Sequence, residues 1–426
     1  MKLVKLPSYS YEGNNYENVV VFLDREGRLI LLPTLFALSS RVNLISYKIN
    51  LVENSNGDIE TRVNEGDLSD ATLDTYLPAI NKYLSYLQDI DQSKSSGTPS
   101  LLHGASHATS NFINYYINNV LAPTVNNKST MNVHISALTC FYMWMWNAGL
   151  CKRLTLKLET KVKKAIRGRT GGQDKVSYIS RAGRELLKRE ANKTSIRDYL
   201  LMEMGWAVGL RSKENQGLLL NDFNVGNKKC AGLKTLITQM KSSKYKSSFQ
   251  YHLGSKFTKG SKSRQIYFSR TLLKLVERYI NGERDTYIER GKKIAEKREY
   301  KRLSRLNKGL DASDSIIKFK DHDTLFVNMD NANSGKSISK KCASGVFRKL
   351  LTKVPLLNQK LSYQDGRHTF ATELYHSMKQ KKGSVNAALL EVAIRLGHAL
   401  KNGLPQEVTT RYIRLHDVMI AQETAL

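Results

Sequence analysis

Residues 73 to 155 carry their apolar side chains at helical spacing, which constrains the fold more than any other feature of the sequence. In "ATLDTYLPAINKYLSYLQDI" the apolar positions are three or four residues apart: Leu73, Tyr76, Leu77, Ile80, Tyr83, Leu84 and Leu87. That spacing puts side chains on one face of a helix, whereas a half-buried strand would alternate. "HATSNFINYYINNVLA" and "NNKSTMNVHISALTCFYMWMWNAGL" continue the pattern. The sequence therefore predicts an all-helical domain over 73–155.

The segments on either side have a different character. Residues 1–72 contain "NVVVFLD" and "GRLILLP" separated by "REG", which predicts a hairpin in a small N-terminal unit whose role stays open. Residues 156–176 are basic and end in a Gly-Gly pair, as expected of an interdomain linker that crosses a phosphate backbone.

A larger domain is predicted over 177–426, mostly helical, with a small sheet from "LKTLITQMK", "SFQYHLG" and "RQIYFS". Residues 281–312 are expected to form a charged helical insertion. The predicted fold class is mainly α with small β-sheets.

The charge balance points to a polyanionic partner. The chain has 67 Lys and Arg against 38 Asp and Glu, a formal net charge of +29. Neutralising phosphates releases condensed counterions, so nucleic acid is favoured over an anionic membrane or a merely soluble basic protein. No signal peptide or membrane span is expected, which predicts a cytoplasmic, nucleoid-associated protein.

Several short motifs do not predict a cofactor or metal site. Four widely spaced cysteines include no CxxC pair, which argues against a zinc site and against a disulfide framework. "HGASH" spaces His103 and His107 like metal ligands but lacks the metalloprotease glutamate. "NSGKS" lacks the first glycine of a phosphate loop, because Asp330 stands there. No cofactor is predicted.

Four stretches carry side chains suited to phosphodiester chemistry. "GWAVGLRSKENQGLLLNDF" ends an apolar run at Gly209 and then places Arg211 and Glu214 one short turn apart. "KFTKGSKSRQIYF" sets a lysine between strand-like runs, and "GRHTFATEL" sets an arginine before an apolar helical stripe. The fourth stretch, "AIRLGHALKNGLPQEVTTRYIRL" near the C-terminus, contains both "LGH" and "TTRY". Arginines can clamp phosphate oxygens, a tyrosine can attack phosphorus, and a lysine or histidine can transfer protons.

These stretches together resemble the tyrosine recombinase (phage integrase) family. "GLRSKE" with "NDF" is similar to its first arginine box, "GRHTFATEL" to its second, and "LGH" and "TTRY" to its last two boxes in order. The resemblance covers 177–426, and more weakly 73–155, which is similar to the core-binding domain of the family.

The resemblance implies a role for each matching residue. Arg211 and Arg367 would clamp the phosphate, and His398 would contact it. Tyr412 would be the nucleophile, although the stretch from His398 to Tyr412 is long. Glu214 would brace the site.

The general acid would lie in the basic stretch. Lys259 would donate a proton to the leaving oxygen, with Lys262 and Lys256 as lesser candidates. One departure concerns Gln364, which stands where the family usually has a histidine; Asp365 or His368 would then substitute.

A site-specific recombinase is the function that the resemblance implies. It would act on double-stranded DNA sites as a homotetramer on two duplexes, with a monomer or dimer on each site before synapsis. An accessory DNA-bending factor is a candidate partner. Integration or excision of a mobile element is the expected role. A telomere resolvase, a type IB topoisomerase-like enzyme and a non-catalytic regulator on an integrase scaffold remain alternatives.

Overall fold

A computed structural model describes residues 1–11, 14–41, 47–66, 68–93, 100–102, 104–169, 177–258, 262–310 and 316–424. The chain forms two compact units, Met1–Asp174 and Lys175–Leu426. The fold class is mainly helical with small sheets, as the sequence predicts. None of the described helices is long and apolar enough to span a bilayer.

The first unit combines two antiparallel hairpins with a set of helices around one core. Its strands are β1 (Lys2–Tyr11), β2 (Asn14–Leu23), β3 (Tyr47–Glu53), β4 (Ile59–Glu65) and β5 (Lys157–Leu158). Its α-helices are α1 (Leu31–Arg41), α2 (Asp70–Ser93), α3 (Ser110–Tyr115), α4 (Ala122–Thr124), α5 (Lys128–Asn147) and α6 (Thr160–Arg169), with a π-helical turn at Tyr116–Leu121.

One continuous core joins the segments that the sequence treats as separate domains. The core runs from Val20 in β2 to Ile166 in α6 and includes the apolar face of α2. Tyr83 of α2 lies hydrogen-bonded to Tyr142 of α5, with 2.8 Å between the hydroxyls. Residues 1–72 and 73–155 therefore belong to one compact unit.

Most of the predicted linker belongs to this unit as well. β5 pairs with β4 through Lys157 opposite Glu60. In α6, Lys163 donates to the carbonyl of Gly57, and Ile166 is 1% exposed. Residues 170–176, which include the Gly-Gly pair, lie outside the described residues.

The predicted N-terminal hairpin is wrong in its pairing. β2 contains "NVVVFL", but its partner is β1, from Lys2 opposite Leu23 to Tyr11 opposite Asn14. "GRLILLP" contributes only a bridge between Leu29 and Leu23 before α1 begins. β2 pairs instead with the preceding ten-residue segment "KLVKLPSYSY", which is longer than "GRLILLP" and has alternating side chains.

The second unit surrounds two short hairpins with helices. Its strands are β6 (Phe223–Val225), β7 (Lys228–Cys230), β8 (Ser248–Leu253), β9 (Arg264–Ser269), β10 (Leu400–Lys401) and β11 (Leu404–Pro405). Its helices are α7 (Arg181–Thr194), α8 (Ile196–Trp206), α9 (Leu233–Ser242), α10 (Arg270–Tyr279), α11 (Asp285–Asn307), α12 (Cys342–Leu351), α13 (Tyr363–Lys382), α14 (Val385–Leu396) and α15 (Glu407–Thr424).

The small sheet of this unit is partly predicted by the sequence. β8 and β9 form the expected hairpin, from Ser248 opposite Ser269 to Leu253 opposite Arg264. "LKTLITQMK", however, forms helix α9 and not a strand. Its buried residues, Leu233, Leu236, Ile237 and Met240, are spaced by three, one and three, which is a helical and not an alternating pattern.

The charged insertion is helical, as predicted, and forms α11. One glycine allows this helix to pack closely. A β-carbon at Gly291 would lie 2.3 Å from the carbonyl oxygen of Ser334 and 2.6 Å from the ring of Phe319. On α12, by contrast, a β-carbon at Gly345 would meet no heavy atom within 4 Å.

Two alanine substitutions test this packing. Gly291→Ala forces backbone apart, so we expect it to lower the free energy of unfolding by about 1–3 kcal/mol. Gly345→Ala, the matched control on an open helical surface, should raise it by about 0.5–1 kcal/mol because alanine loses less entropy in a helix. Denaturant unfolding measures both. Equal effects of the two substitutions would contradict the close approach of α11 to residue 334.

Candidate active site

A tight turn after α8 aims Arg211 into the interior of the second unit. The turn needs Gly209, which has a φ of +75° and whose β-carbon would lie 2.4 Å from the ring of Phe370. Two residues later the backbone N–H of Arg211 donates to Glu214 Oε2 at 2.7 Å. The apolar run before Gly209 is therefore a fixed support for Arg211.

Glu214 is a buried carboxylate shared by three arginines. Its side chain accepts from Arg211 Nη1 at 2.8 Å and from Arg264 Nη1 and Nη2 at 2.6 and 2.8 Å. Arg367 Nη1 lies 3.5 Å from Glu214 Oε2. Burial alone would raise the pKa of Glu214, but the hydrogen bonds from Arg264 and the charge of Arg367 outweigh it and hold that pKa at about 2.

Arg367 is held by helix α13. The helix begins with a capping box in which Asp365 accepts from the backbone N–H of Ser362 at 2.7 Å. Tyr363, in the first turn, donates its hydroxyl to the carbonyl of Leu201 in α8 at 3.0 Å, which fixes the two helices together. The position of Arg367 is thus set by backbone geometry and packing.

The guanidinium of Arg367 is fully buried and contacts two backbone carbonyls. It donates to the oxygens of Gly209 at 2.5 Å and Leu396 at 2.6 Å. Burial and the charge of Arg211 lower the pKa of Arg367 to about 9, which leaves the group protonated at pH 7. Among the residues that the structure describes, its Nε has no hydrogen-bond partner.

Tyr412 lies between two histidines. Its hydroxyl is 3.3 Å from His368 Nδ1, and its ring stacks on His398 with 6.3 Å between centroids and 14° between planes. His398 Nδ1 is 3.0 Å from the hydroxyl of Thr409. Burial and the charges of Arg367 and Arg211 lower the pKa of His398 to about 3, so this ring is neutral at pH 7.

The structure brings five of the seven predicted site residues together: Arg211, Glu214, Arg367, His398 and Tyr412. Lys259 lies outside the described residues, and in the sequence it falls between β8 and β9. Lys256 and Lys262, on either side of it in the sequence, are exposed.

Gln364 is exposed in the first turn of α13. The two suggested substitutes for a histidine there differ in position. Asp365 already accepts hydrogen bonds at the helix start, including one from the backbone N–H of Ser177 at 3.3 Å. His368 is the one beside the hydroxyl of Tyr412.

Sequence analysis missed Arg264, which is 6% exposed and holds Glu214 through both terminal nitrogens. A signal for it existed in "RQIYFS", where Arg264 shares the inward face of β9 with buried Ile266 and Phe268. A charged residue at such a position needs a buried partner of opposite charge. Thr409, fully buried beside His398, was missed as well, and no sequence signal marks it.

Three guanidinium groups around one carboxylate leave an excess of positive charge in a region with little solvent. Such a cluster favours an anion with several oxygens, and phosphate is the anion whose geometry arginine matches. A neutral imidazole and a phenol stand at its edge. No group of three metal-ligating side chains occurs among the described residues.

The second unit is similar to a known family. Residues 183–383 match the model of the phage integrase family. No curated protein matches the chain. Among solved structures, XerH site-specific recombinase bound to a palindromic difH substrate shares 16% identity, with 84% of this chain and 80% of that chain covered and a TM-score of 0.48.

Two integrases of known structure are similar to this chain at comparable sequence identity and TM-score. The Tn1549 transposon integrase in complex with a circular intermediate DNA shares 12% identity, covering 90% of this chain and 95% of that one, with a TM-score of 0.45. A lambda integrase dimer bound to a COC′ core site shares 13% identity, covering 81% and 89%, with a TM-score of 0.42.

Replacing the shared carboxylate tests the charge network. Glu214→Gln leaves the buried guanidinium groups of Arg264 and Arg367, and the partly buried one of Arg211, without their counter-charge. We therefore expect a loss of about 3–5 kcal/mol of unfolding free energy at pH 7. The pKa of Glu214 is about 2 against an ordinary value of 4.5. Its contribution is therefore present above about pH 4.5 and lost as the pH falls toward about 2. Denaturant unfolding at pH 7 and pH 3 measures both effects.

Glu289→Gln is the matched control. Glu289 pairs with Lys292 on the surface of α11 and is 61% exposed, so its loss should cost at most about 0.5 kcal/mol. The network is refuted if the deficit of Glu214→Gln equals that of Glu289→Gln, or if its deficit stays the same at pH 3.

Proposed function

Since residues 183–383 belong to the phage integrase family, we propose that the chain is a site-specific DNA recombinase that cleaves and rejoins DNA through a 3′-phosphotyrosyl intermediate. The observation that carries the proposal is the position of Tyr412, beside His368 and His398 and next to the arginine network of Glu214. A phenol at this place has a positive site for phosphate and a base for its proton.

Binding of the scissile phosphate falls to the arginines. Arg211 is the most accessible, with 26% of its side chain exposed, and offers guanidinium donors to a non-bridging oxygen. Arg367 keeps both terminal nitrogens on backbone carbonyls but has a free Nε–H among the described contacts. His398 adds a neutral donor: if Thr409 donates to Nδ1, the ring proton sits on Nε2.

Cleavage is then an in-line displacement at phosphorus. Tyr412 Oη bonds to phosphorus and its proton passes to His368 Nδ1, while the bond from phosphorus to the 5′-oxygen breaks. Lys259 protonates the departing 5′-oxygen, a role that rests on its match to the family pattern. The positive charges of Arg211 and Arg367 stabilise the negative charge that grows on the phosphate oxygens.

Strand exchange follows when the 5′-hydroxyl of a second duplex attacks the phosphotyrosine and releases Tyr412. Membership of the family supports a homotetramer on two duplexes, with a monomer or dimer on each site before synapsis, and a role in a mobile element. An accessory DNA-bending protein would assist synapsis.

One observation favours a second candidate. Gln364 lies exposed where the family usually has a histidine, and glutamine cannot act as a base. A glutamine at this position would be compatible with a non-catalytic DNA-binding regulator, which binds DNA without cleaving it. If the protein is a recombinase, His368 accepts the proton that Gln364 cannot accept.

A nicked suicide duplex that carries the recombination site tests the proposal. Wild-type protein should form a covalent protein–DNA adduct, and Tyr412→Phe should lower its yield by several orders of magnitude while DNA binding persists, because only the nucleophilic oxygen is removed. Denaturing electrophoresis of labelled DNA measures the adduct.

Tyr300→Phe provides the control, since Tyr300 is 76% exposed on α11 and should leave the adduct unchanged. An adduct that survives in Tyr412→Phe excludes Tyr412 as the nucleophile. DNA binding by the wild type without any adduct supports the regulator. Relaxation or hairpin formation without a second site indicates a topoisomerase-like enzyme or a telomere resolvase.

A further inference from the structure

Helix α15 covers the reacting groups in this structure. Tyr412 is 2% exposed, and the following turns bury Leu415 and Met419 in a core shared with α13 and α14. Arg367, which must meet the phosphate under the proposed function, has no exposed surface. In this arrangement neither group is exposed to a DNA phosphate, so the packing of α15 controls access to Tyr412.

A pair of histidines forms a second polar contact between α15 and α13. His416, one helical turn after Tyr412, places Nε2 at 2.9 Å from Nδ1 of His376. The two rings lie 5.0 Å apart between centroids, and the ring of Tyr375 packs edge-on against His416 at 5.5 Å. We refer to His376 and His416 as the histidine pair.

The neighbours of the histidine pair define its protonation. The amide nitrogen of Gln380 lies 2.8 Å from His376 Nε2 and can donate to it, so His376 carries its proton on Nδ1. His376 Nδ1–H then donates to His416 Nε2. His416 carries its own proton on Nδ1, 3.4 Å from Asp417 Oδ1. Every donor has an acceptor with both rings neutral.

Protonation of both rings destroys this contact. The facing nitrogens would both carry protons, so no lone pair would remain to accept the hydrogen bond. Two positive charges would also lie within hydrogen-bond distance of one another, which repels α15 from α13.

We propose that the histidine pair positions the nucleophile: it holds α15 with Tyr412 covered while at least one ring is neutral, and releases the helix when both are protonated. The assignment of Tyr412 as nucleophile rests on the proposed function, whereas the docking equilibrium of α15 does not. His376 and His416 act through the position of Tyr412 and touch no substrate.

The other charged groups in this region do not reproduce the effect between pH 5.5 and 7.5. On α15 the group beside the pair is the carboxylate of Asp417. On α13 it is Tyr375, and burial raises the pKa of its phenol further above this range. α14 contributes Glu391, which is paired with Arg395 at 2.9 Å and with Lys382 of α13 at 3.6 Å.

Two further histidines face Tyr412 and must be separated from the pair. His398 has a pKa of about 3 and stays neutral over this range. His368 contacts the hydroxyl of Tyr412 and is a titratable group on α13. Substitution within the histidine pair, with His368 intact, therefore distinguishes the two sources.

The sign of the pH effect follows from proton binding. The released state binds more protons than the docked state, so lowering the pH favours release. For each unit by which the pH falls, one excluded proton weakens docking by at most about tenfold.

Hydrogen exchange of the full chain without DNA measures docking directly. We expect the protection factors of α15 amides, corrected for the intrinsic pH dependence of exchange, to fall several-fold, and by at most about tenfold, between pH 6.5 and pH 5.5. Amides of α8, which lies in the core of the same unit, should show no such fall. Glutamine at position 416, in His416→Gln, can still donate and accept but cannot titrate, so α15 should stay protected at both pH values.

His252→Gln is the matched control, because His252 sits on β8 against Gln265 at 3.1 Å and should keep the wild-type response. If His416→Gln loses α15 protection already at pH 7.5, the proposal is tested with His376→Gln and with imidazole NMR of the wild type. It then requires that the hydrogen bond between the two rings disappears over the same pH range as the protection of α15, and it is contradicted if the hydrogen bond persists.

Two results overturn the proposal: wild-type α15 protection that does not change with pH, or a pH response of His416→Gln equal to that of the wild type. Neither result depends on DNA cleavage. Adduct formation by the wild type at any pH between 5.5 and 7.5 supports the proposed function, and its absence at every pH in that range contradicts it, so failure of one can be distinguished from failure of the other.

Discussion

The carboxylate of Glu214 is the interaction on which the rest of the site depends. Three guanidinium groups of like charge, two of them buried and one partly buried, need a counter-charge to lie together, and Glu214 supplies it at hydrogen-bond distance to Arg211 and Arg264. The same carboxylate accepts from the backbone N–H of Arg211, which fixes the turn after α8. One acidic side chain thus sets both the charge and the shape of the anion site.

Because the site depends on Glu214 and its arginines, the segments around these residues must pack closely against them. Gly209 is required because the turn passes directly over Phe370, and its carbonyl then accepts from Arg367 at 2.5 Å. Gly397 lies next to Arg264, where a β-carbon would come within 3.1 Å of the arginine side chain. Small residues let α8, β9 and the end of α14 approach the same buried charges.

Site residues that lie in recognisable sequence motifs could be predicted from the sequence. Residues that reach the site only through the packing of distant segments could not. The arginine boxes and the final tyrosine predicted a cluster that includes Arg211, Arg367 and Tyr412, and these residues do lie together. Arg264 stood in an ordinary strand-like run, and only the pairing of β8 with β9 turns it toward Glu214. The prediction for α9 was wrong for a different reason: its short apolar run was predicted to be a strand although the apolar residues have helical spacing. Burial of Tyr412 and the contact between His376 and His416 arise from the packing of α15 on α13, which no local pattern encodes.

The measurement that tests the central claim most directly is mass spectrometry of the adduct trapped on a nicked duplex. After nuclease and protease digestion, the account predicts one modified peptide, with the residual nucleotide joined through a 3′-phosphate to Tyr412. A nucleotide on any other of the 21 tyrosines, or on a serine or lysine, would contradict the assignment of the nucleophile and of the site built around it.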